Sequence, residues 1–135
     1  MPQKIVPSIH YKNCKQAIDW LCATFGFERQ LIVPSEEGGI THAQLVCGDA
    51  MVMLGDGHED DPYGKINKSP LQLDGHNTAG IYMIVEDVDA HYEKAMTAGV
   101  EIVFDIQDHE YGGRGYTCKG FEGHLWSFGS YNPWE

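Results

Sequence analysis

The stretch Val52-Met53-Leu54-Gly55 decides the fold, because its pattern returns in the second half of the chain as Trp126-Ser127-Phe128-Gly129. Both stretches read apolar, variable, apolar, glycine. The same spacing separates Asn13 from Asp87, and each of these two residues closes an apolar run before a helical pattern. Two copies of one unit predict a pseudo-symmetric domain in which equivalent positions can be compared in pairs.

The first copy predicts the element order βαβββ. Asn13 is suited to be a helix N-cap, apolar residues recur after it at helical spacing, and Gly26 ends the helix. The pair Gly48-Asp49 between two apolar runs predicts a hairpin. The predicted strands of this copy are 5–11, 28–33, 41–47 and 50–54.

The second copy predicts the same order. Asp87 caps a helix over 88–98 that ends at Gly99. The spacing from Gly26 to Gly99 is one position shorter than the spacing that relates the other pairs. The predicted strands of this copy are 78–85, 101–106, 114–119 and 124–131. We therefore expect one domain over 1–135, with a first unit at about 5–55, a second unit at about 78–131, and a long connector at 56–77 between them.

Length, composition and charge exclude several classes of protein. With 135 residues, 42% apolar residues and 15 aromatic side chains, the chain is suited to one domain with a packed core. A net charge of −11 argues against binding nucleic acid or an anionic membrane, and it allows attraction of cationic partners. We find neither an apolar run of membrane-spanning length nor a signal-peptide pattern. Four cysteines without CxxC spacing favour free thiols in a reducing cytoplasm.

Three motifs carry a family resemblance: Phe25-Gly26-Phe27-Glu28, His42-Ala43-Gln44-Leu45 and the stretch EGHLWSFGSY at 122–131. Together they resemble the vicinal oxygen chelate superfamily, which includes glyoxalase I, extradiol dioxygenases and bleomycin-resistance proteins, and within it the PhnB-like branch. The resemblance covers about residues 5 to 134. It implies an α+β fold in which two βαβββ units form a cupped mixed sheet around a cleft. Members often carry Asp-Pro-Glu-Gly before the last strand, where this chain has Gly120-Phe121-Glu122-Gly123.

The resemblance also implies where a metal would be bound. Metal-dependent members place histidine or glutamine and glutamate ligands on the first and last strands of each unit. The repeat aligns those positions with Val6, Met53, Gly80 and Ser127, which offer no carboxylate or imidazole donor. We therefore expect no metal cofactor and no glyoxalase I activity, provided that the strand register is correct, since a shift of one residue turns every side chain to the other face.

Period-two alternation from these positions predicts the residues that line the cleft. The expected ligand-binding residues are His10, His42, Gln44, Met51, Met53, Tyr82, Tyr116, Cys118 and Ser127, with Ser8 and Leu125 beside them. Apolar and aromatic walls with a few polar groups are typical of a small-molecule site. They are equally typical of the interior of a fold that binds nothing.

Several other residues invite a functional interpretation, and each has a structural alternative. His10 and His42 are either a relocated metal or acid–base pair or hydrogen-bonded interior histidines. Arg114 either contacts an anionic or carbonyl group or closes a surface ion pair. Cys118 is either a nucleophile or an inert thiol. The runs His58-Glu59-Asp60-Asp61 and His109-Glu110 are more typical of solvated loops than of metal sites, and Trp134 is placed to contact a partner subunit.

Three functions remain open at this point. The first is a metal-free protein of the bleomycin-resistance type, a homodimer that binds an apolar or aromatic compound, with a cationic group permitted. The second is a glyoxalase-like or dioxygenase-like enzyme whose metal ligands have moved to positions such as His10 and His42. The third is a regulatory dimer with an unused cleft.

Overall fold

The computed structural model describes residues 3–56 and 62–135, and contacts between Cα atoms divide the chain into two units, Met1–Gly75 and His76–Glu135. The elements of the first unit are β1 (Ser8–His10), α1 (Cys14–Phe25), β2 (Glu28–Pro34), β3 (Ile40–Cys47), β4 (Ala50–Gly55) and α2 (Pro62–Ile66). Those of the second are β5 (Ile81–Ile84), α3 (Val88–Thr97), β6 (Glu101–Asp108), β7 (Arg114–Lys119) and β8 (Leu125–Gly129). Each unit contains the predicted βαβββ order, so the fold class is α+β.

Each unit contains one four-stranded mixed sheet. The strand order is β1-β4-β3-β2 in the first unit and β5-β8-β7-β6 in the second. In both sheets the first strand runs parallel to the last, and the remaining neighbours are antiparallel. The two sheets therefore have the same topology, as the internal repeat predicts.

The predicted helix and turn signals are confirmed. Asn13 accepts a hydrogen bond from the backbone N–H of Gln16, and Asp87 accepts one from that of Ala90. Gly26 adopts the left-handed conformation, with φ of 78°, that ends α1. Cys47 pairs with Ala50 across the two-residue Gly48-Asp49 loop, as the hairpin prediction requires.

The connector contains structure that the sequence did not predict. Besides α2 it forms a single 3₁₀ turn over Pro70–Gln72. Ser69 caps this turn, because its hydroxyl accepts from the N–H of Leu71 while the Gln72 side chain accepts from the N–H of Ser69. Ser69 is fully buried. Most of the predicted connector, as far as Gly75, therefore belongs to the first unit.

In both sheets one face is buried and carries a helix. In the first unit, α1 contacts β2 and β3, and apolar side chains of the helix and of one sheet face are buried: Ala17, Ile18, Leu21, Ala43, Leu45, Val52 and Leu54. In the second, α3 contacts β6, β7 and β8, and the buried side chains include Val88, Ala95, Tyr116, Cys118, Trp126 and Phe128. We call the opposite side of each sheet its open face.

A close approach between strands explains the repeated glycine. A Cβ on Gly55 would lie 2.9 Å from the carbonyl oxygen of Thr41, and one on Gly129 would lie 3.0 Å from that of Arg114. Any larger residue would push the neighbouring strand away at that point. The glycine that ends each repeat motif is therefore required by backbone packing.

Candidate functional site

The open face of the first unit carries most of the predicted ligand-binding residues. Met53 pairs with Ser8 on one side and with Gln44 on the other, and His42 pairs with Val33, so these side chains share one face. The residues of this face are Ser8, His10, Leu31, Val33, His42, Gln44, Val46, Met51 and Met53. Leu31 is 44% exposed and Val33 38%. This face is therefore an accessible apolar surface with a few polar groups.

His10 differs from the other residues of this face because it is buried, with 8% exposure. It pairs with Gly55 at the end of β1. His42 and Gln44, by contrast, are half-buried. Among the described residues, 3–56 and 62–135, no group of three or more His, Cys, Asp or Glu side chains could hold a metal ion.

A chain of polar side chains crosses the open face of the first unit. The Gln44 side-chain amide donates to Gln30 Oε1 at 2.7 Å, and Gln44 Oε1 lies 2.9 Å from His42 Nε2. The register of β2 against β3 shifts between Arg29 and Leu31, which leaves Gln30 as an extra residue beside Gln44. The bulge therefore supplies a partner that the alternation of the strand does not predict.

The open face of the second unit carries a row of four side chains. Tyr82 pairs with Ser127, Ser127 with Thr117, and Thr117 with Phe104. The Ser127 and Thr117 hydroxyls are 2.7 Å apart, while Tyr82 is 44% and Phe104 60% exposed. Two accessible aromatic rings thus flank a pair of hydroxyl groups.

Tyr82 is held in place at the end of this row. Its hydroxyl donates to the carbonyl oxygen of Tyr131 at 2.7 Å. Partial burial raises the pKa of Tyr82, with a smaller contribution from the nearby Tyr111. Tyr82 is therefore a neutral aromatic group at physiological pH.

The prediction that Tyr116 and Cys118 face the open side is wrong. Tyr116 is 3% exposed and Cys118 is fully buried, and their partners on β8 are Phe128 and Trp126 of the helix-packed face. The Tyr116 hydroxyl lies 2.5 Å from Nδ1 of His91 on α3. Both residues are therefore part of the core between α3 and its sheet.

A one-residue change in the repeat explains this error. The partner of Met53 on β3 is Gln44, and the partner of Ser127 on β7 is Thr117, so Gln44 and Thr117 are the equivalent residues of the two middle strands. The spacing that relates Met53 to Ser127 leads from Gln44 to Cys118 instead, and one residue turns a strand side chain to the opposite face. Thr117 was missed for this reason, although Gly26 and Gly99 already signalled the shorter spacing.

Burial also removes the chemical roles considered for this pair. Desolvation raises the pKa of the Cys118 thiol to about 12, so it is protonated at neutral pH and is a poor nucleophile. Burial likewise raises the pKa of Tyr116 far above its usual range. Burial lowers the pKa of His91, whose ring lies 4.1 Å from that of Phe128. A neutral imidazole and a neutral phenol are both suited to this apolar contact.

The remaining predicted groups fall outside the open faces or outside the described residues. Arg114 donates to Asp89 at 3.1 Å and to Asp108 at 3.3 Å, and these hydrogen bonds raise its pKa, so it forms a surface ion-pair network. His109 stacks on Tyr111 with ring centroids 4.9 Å apart. Trp134 is 87% exposed. The run His58-Glu59-Asp60-Asp61 lies outside the described residues.

Comparison with known proteins identifies the family. A family model described as "Glyoxalase/Bleomycin resistance protein/Dioxygenase superfamily" matches residues 7–128. The chain belongs to this superfamily. An uncharacterized protein of Mycobacterium bovis is 32% identical over 124 residues, which are 91% of this chain and 80% of the relative. An uncharacterized protein of Mycobacterium tuberculosis has the same identity, and the match covers 71% of its length.

Solved structures of the superfamily share the fold. TioX from Micromonospora sp. ML1 is 33% identical, with a TM-score of 0.73 and a match that covers 94% of each chain. TnmS3, an antibiotic binding protein from Streptomyces sp. CB03234, is 20% identical, with a TM-score of 0.69 over 95% of this chain and 96% of that one. The fosfomycin resistance protein FosX from Listeria monocytogenes is 14% identical, with a TM-score of 0.70 over 98% and 96%. The last two likenesses show the fold alone.

The superfamily positions for a metal do not fit one in this chain. Val6 and Gly80 have no donor atom in their side chains. Met53 offers a soft thioether, and the Ser127 hydroxyl is hydrogen-bonded to Thr117. Divalent ions of this kind of site prefer imidazole and carboxylate ligands. The chemistry open to these faces is therefore recognition by apolar contact and neutral hydrogen bonds.

Proposed function

We propose that this protein is a metal-free small-molecule binder that takes up an apolar or aromatic compound on the open faces of its sheets. The observation that carries this proposal is the open face of the first unit. Leu31, Val33, Met51 and Met53 form an apolar surface there, at least partly accessible to solvent. An exposed apolar patch edged by polar groups is typical of a ligand-binding surface. Methionine side chains suit it because they adapt to flat ligands of different outline.

A small number of polar groups supports recognition of a specific compound. His42 and Gln44 stand among the apolar side chains of the first unit, and Ser127 and Thr117 stand between the aromatic rings of the second. Ligand sites commonly combine apolar walls with few polar groups that fix orientation. The ligand therefore carries at least one hydrogen-bonding group.

Charge and family membership support the rest of the proposal. A net charge of −11 attracts a compound that bears a cationic group and repels an anionic one. The superfamily name includes bleomycin resistance, and TnmS3 is described as an antibiotic binding protein. We extend this to the present chain as antibiotic binding or a related protective role. No helix among the described residues has the length and apolar character to cross a membrane. A cytoplasmic location is part of the proposal, because none of the four cysteines is in a disulfide.

The test is a melting-temperature screen with planar aromatic compounds. The panel includes neutral, cationic and anionic members, together with bleomycin. A true ligand at about 100 times its dissociation constant stabilises the fold by about 2.7 kcal/mol, which raises the melting temperature. Neutral and cationic members should give the shift and anionic members should not. A panel in which no neutral or cationic compound shifts the melting temperature would contradict the proposal.

Elemental analysis tests the metal-free part of the proposal. The purified protein should contain far less than one equivalent of zinc, nickel, iron or manganese, because Val6, Met53, Gly80 and Ser127 lack suitable donors. It should also fail to isomerise the methylglyoxal–glutathione adduct, a reaction that needs a metal and a carboxylate base. One tightly bound transition metal per chain, with activity abolished by a chelator, would favour the enzyme alternative.

We also propose that the protein is a homodimer. Each sheet leaves apolar side chains uncovered, including Phe104 at 60% exposure, and Trp134 near the carboxyl end is 87% exposed. Such surfaces are commonly covered by a second copy related by a two-fold axis. Sedimentation at micromolar concentration should give twice the chain mass of 15.1 kDa. A stable monomer under those conditions would rule this out.

A further inference from the structure

The hydrogen-bond chain on the open face of the first unit fixes the orientation of the Gln44 amide. The Gln44 NH₂ group donates to Gln30 Oε1 at 2.7 Å, so the Gln44 oxygen is the atom turned toward His42. An amide oxygen only accepts hydrogen bonds. His42 Nε2 therefore carries the proton of this pair and donates to Gln44 Oε1.

The tautomer of His42 follows from that direction. A neutral imidazole carries one proton, so with Nε2 protonated the lone pair resides on Nδ1. Within residues 3–56 and 62–135 this Nδ1 atom has no hydrogen-bond partner. His42 is half-buried and shares its face with Val33, its partner on β2, and with Met53. An acceptor without a partner thus stands beside an accessible apolar surface.

We infer that His42 is the specificity-determining residue of this face and that it selects aromatic ligands with an N–H or O–H donor at the ring edge. This inference rests on the proposed function and narrows its ligand class. A donor placed on Nδ1 gains a hydrogen bond, whereas a carbonyl or carboxylate oxygen there meets a second lone pair. Gln44 is a positioning residue, because it acts by holding the proton of His42 on Nε2.

The first experiment reads the tautomer without any ligand. Long-range ¹H–¹⁵N spectra of the full chain at pH 8.5, well above the range in which imidazoles titrate, distinguish a protonated ring nitrogen from one with a lone pair. The His42 signals should show Nε2 protonated in the native protein and in Gln44→Glu, whose carboxylate also accepts. In Gln44→Leu, which keeps the side-chain bulk without an acceptor, the two tautomers should mix. A native His42 with the proton on Nδ1 would overturn the inference.

The second experiment uses indole and 1-methylindole, which differ in the presence of the N–H donor. NMR titration of the native protein should show about three- to tenfold tighter binding of indole, the size expected for one hydrogen bond. The preference should persist in Gln44→Glu and fall to less than twofold in Gln44→Leu and in His42→Phe. The matched control His76→Phe, at an exposed histidine outside both sheets, should keep the native preference.

The outcomes separate this inference from the proposed function. Equal affinity of the native protein for the two indoles overturns the donor selectivity but leaves aromatic binding intact. An absence of binding by either indole to the open face of the first unit contradicts the proposed function itself. In that case the tautomer spectra still decide whether Gln44 holds the His42 proton on Nε2.

Discussion

Tyr116→Ala should lower the free energy of unfolding by about 3–5 kcal/mol, the range found when a large aromatic core residue is truncated. Tyr116 is 3% exposed, and its ring packs 4.9 Å from that of Tyr92 and 5.5 Å from that of Phe128. Its removal leaves a cavity between α3 and the sheet and takes away the partner of His91 Nδ1. Denaturant unfolding followed by circular dichroism measures this loss.

Two further variants control for the role of Tyr116. Tyr116→Phe keeps the ring and removes the hydroxyl, so it should cost about 1 kcal/mol. Tyr82→Ala removes a 44% exposed tyrosine from the open face, and it should also cost about 1 kcal/mol while weakening the binding of aromatic compounds. A Tyr116→Ala protein that is as stable as the native one but no longer binds ligand would show that Tyr116 faces the ligand after all.

Met53→Glu should weaken the binding of a neutral aromatic compound by about 100-fold or more. Met53 is half-buried at the centre of the open face of the first unit, between Ser8 and Gln44. A ligand that covers a carboxylate there must remove its hydration shell, which costs several kcal/mol, and 100-fold in affinity corresponds to about 2.7 kcal/mol. The measurement is a titration with the neutral compound that stabilises the native protein most.

The matched control is Met96→Glu, which makes the same chemical change on α3. Met96 is 53% exposed and lies away from the open face. This variant should bind the compound with native affinity, since it adds the same charge without placing it under the ligand. Both variants should remain folded, because each altered side chain is at least partly in solvent. Loss of binding in both would point to a general charge effect, and native binding by Met53→Glu would place the ligand elsewhere.

The sequence by itself determined the repeated unit, its element order and most of its boundaries. These features depend on local chemistry. Asn13 and Asp87 cap helices through their own side chains, Gly26 and Gly99 adopt left-handed conformations, and Gly48-Asp49 closes a hairpin. The motif ending in Gly55 was also legible, although its cause, the approach of the Thr41 carbonyl, appears only in the structure.

Tertiary structure alone decided which side chains of the middle strands reach the open faces. One residue fewer separates Asp87 from Gly99 than Asn13 from Gly26, and this difference turns Thr117 outward and buries Cys118. The bulge that brings Gln30 to Gln44 likewise depends on how β2 pairs with β3. Strand side chains alternate with a period of two, so a single inserted or deleted residue exchanges the core and the surface. The composition of a strand does not reveal that exchange, because the register is set by the hydrogen-bonded neighbour.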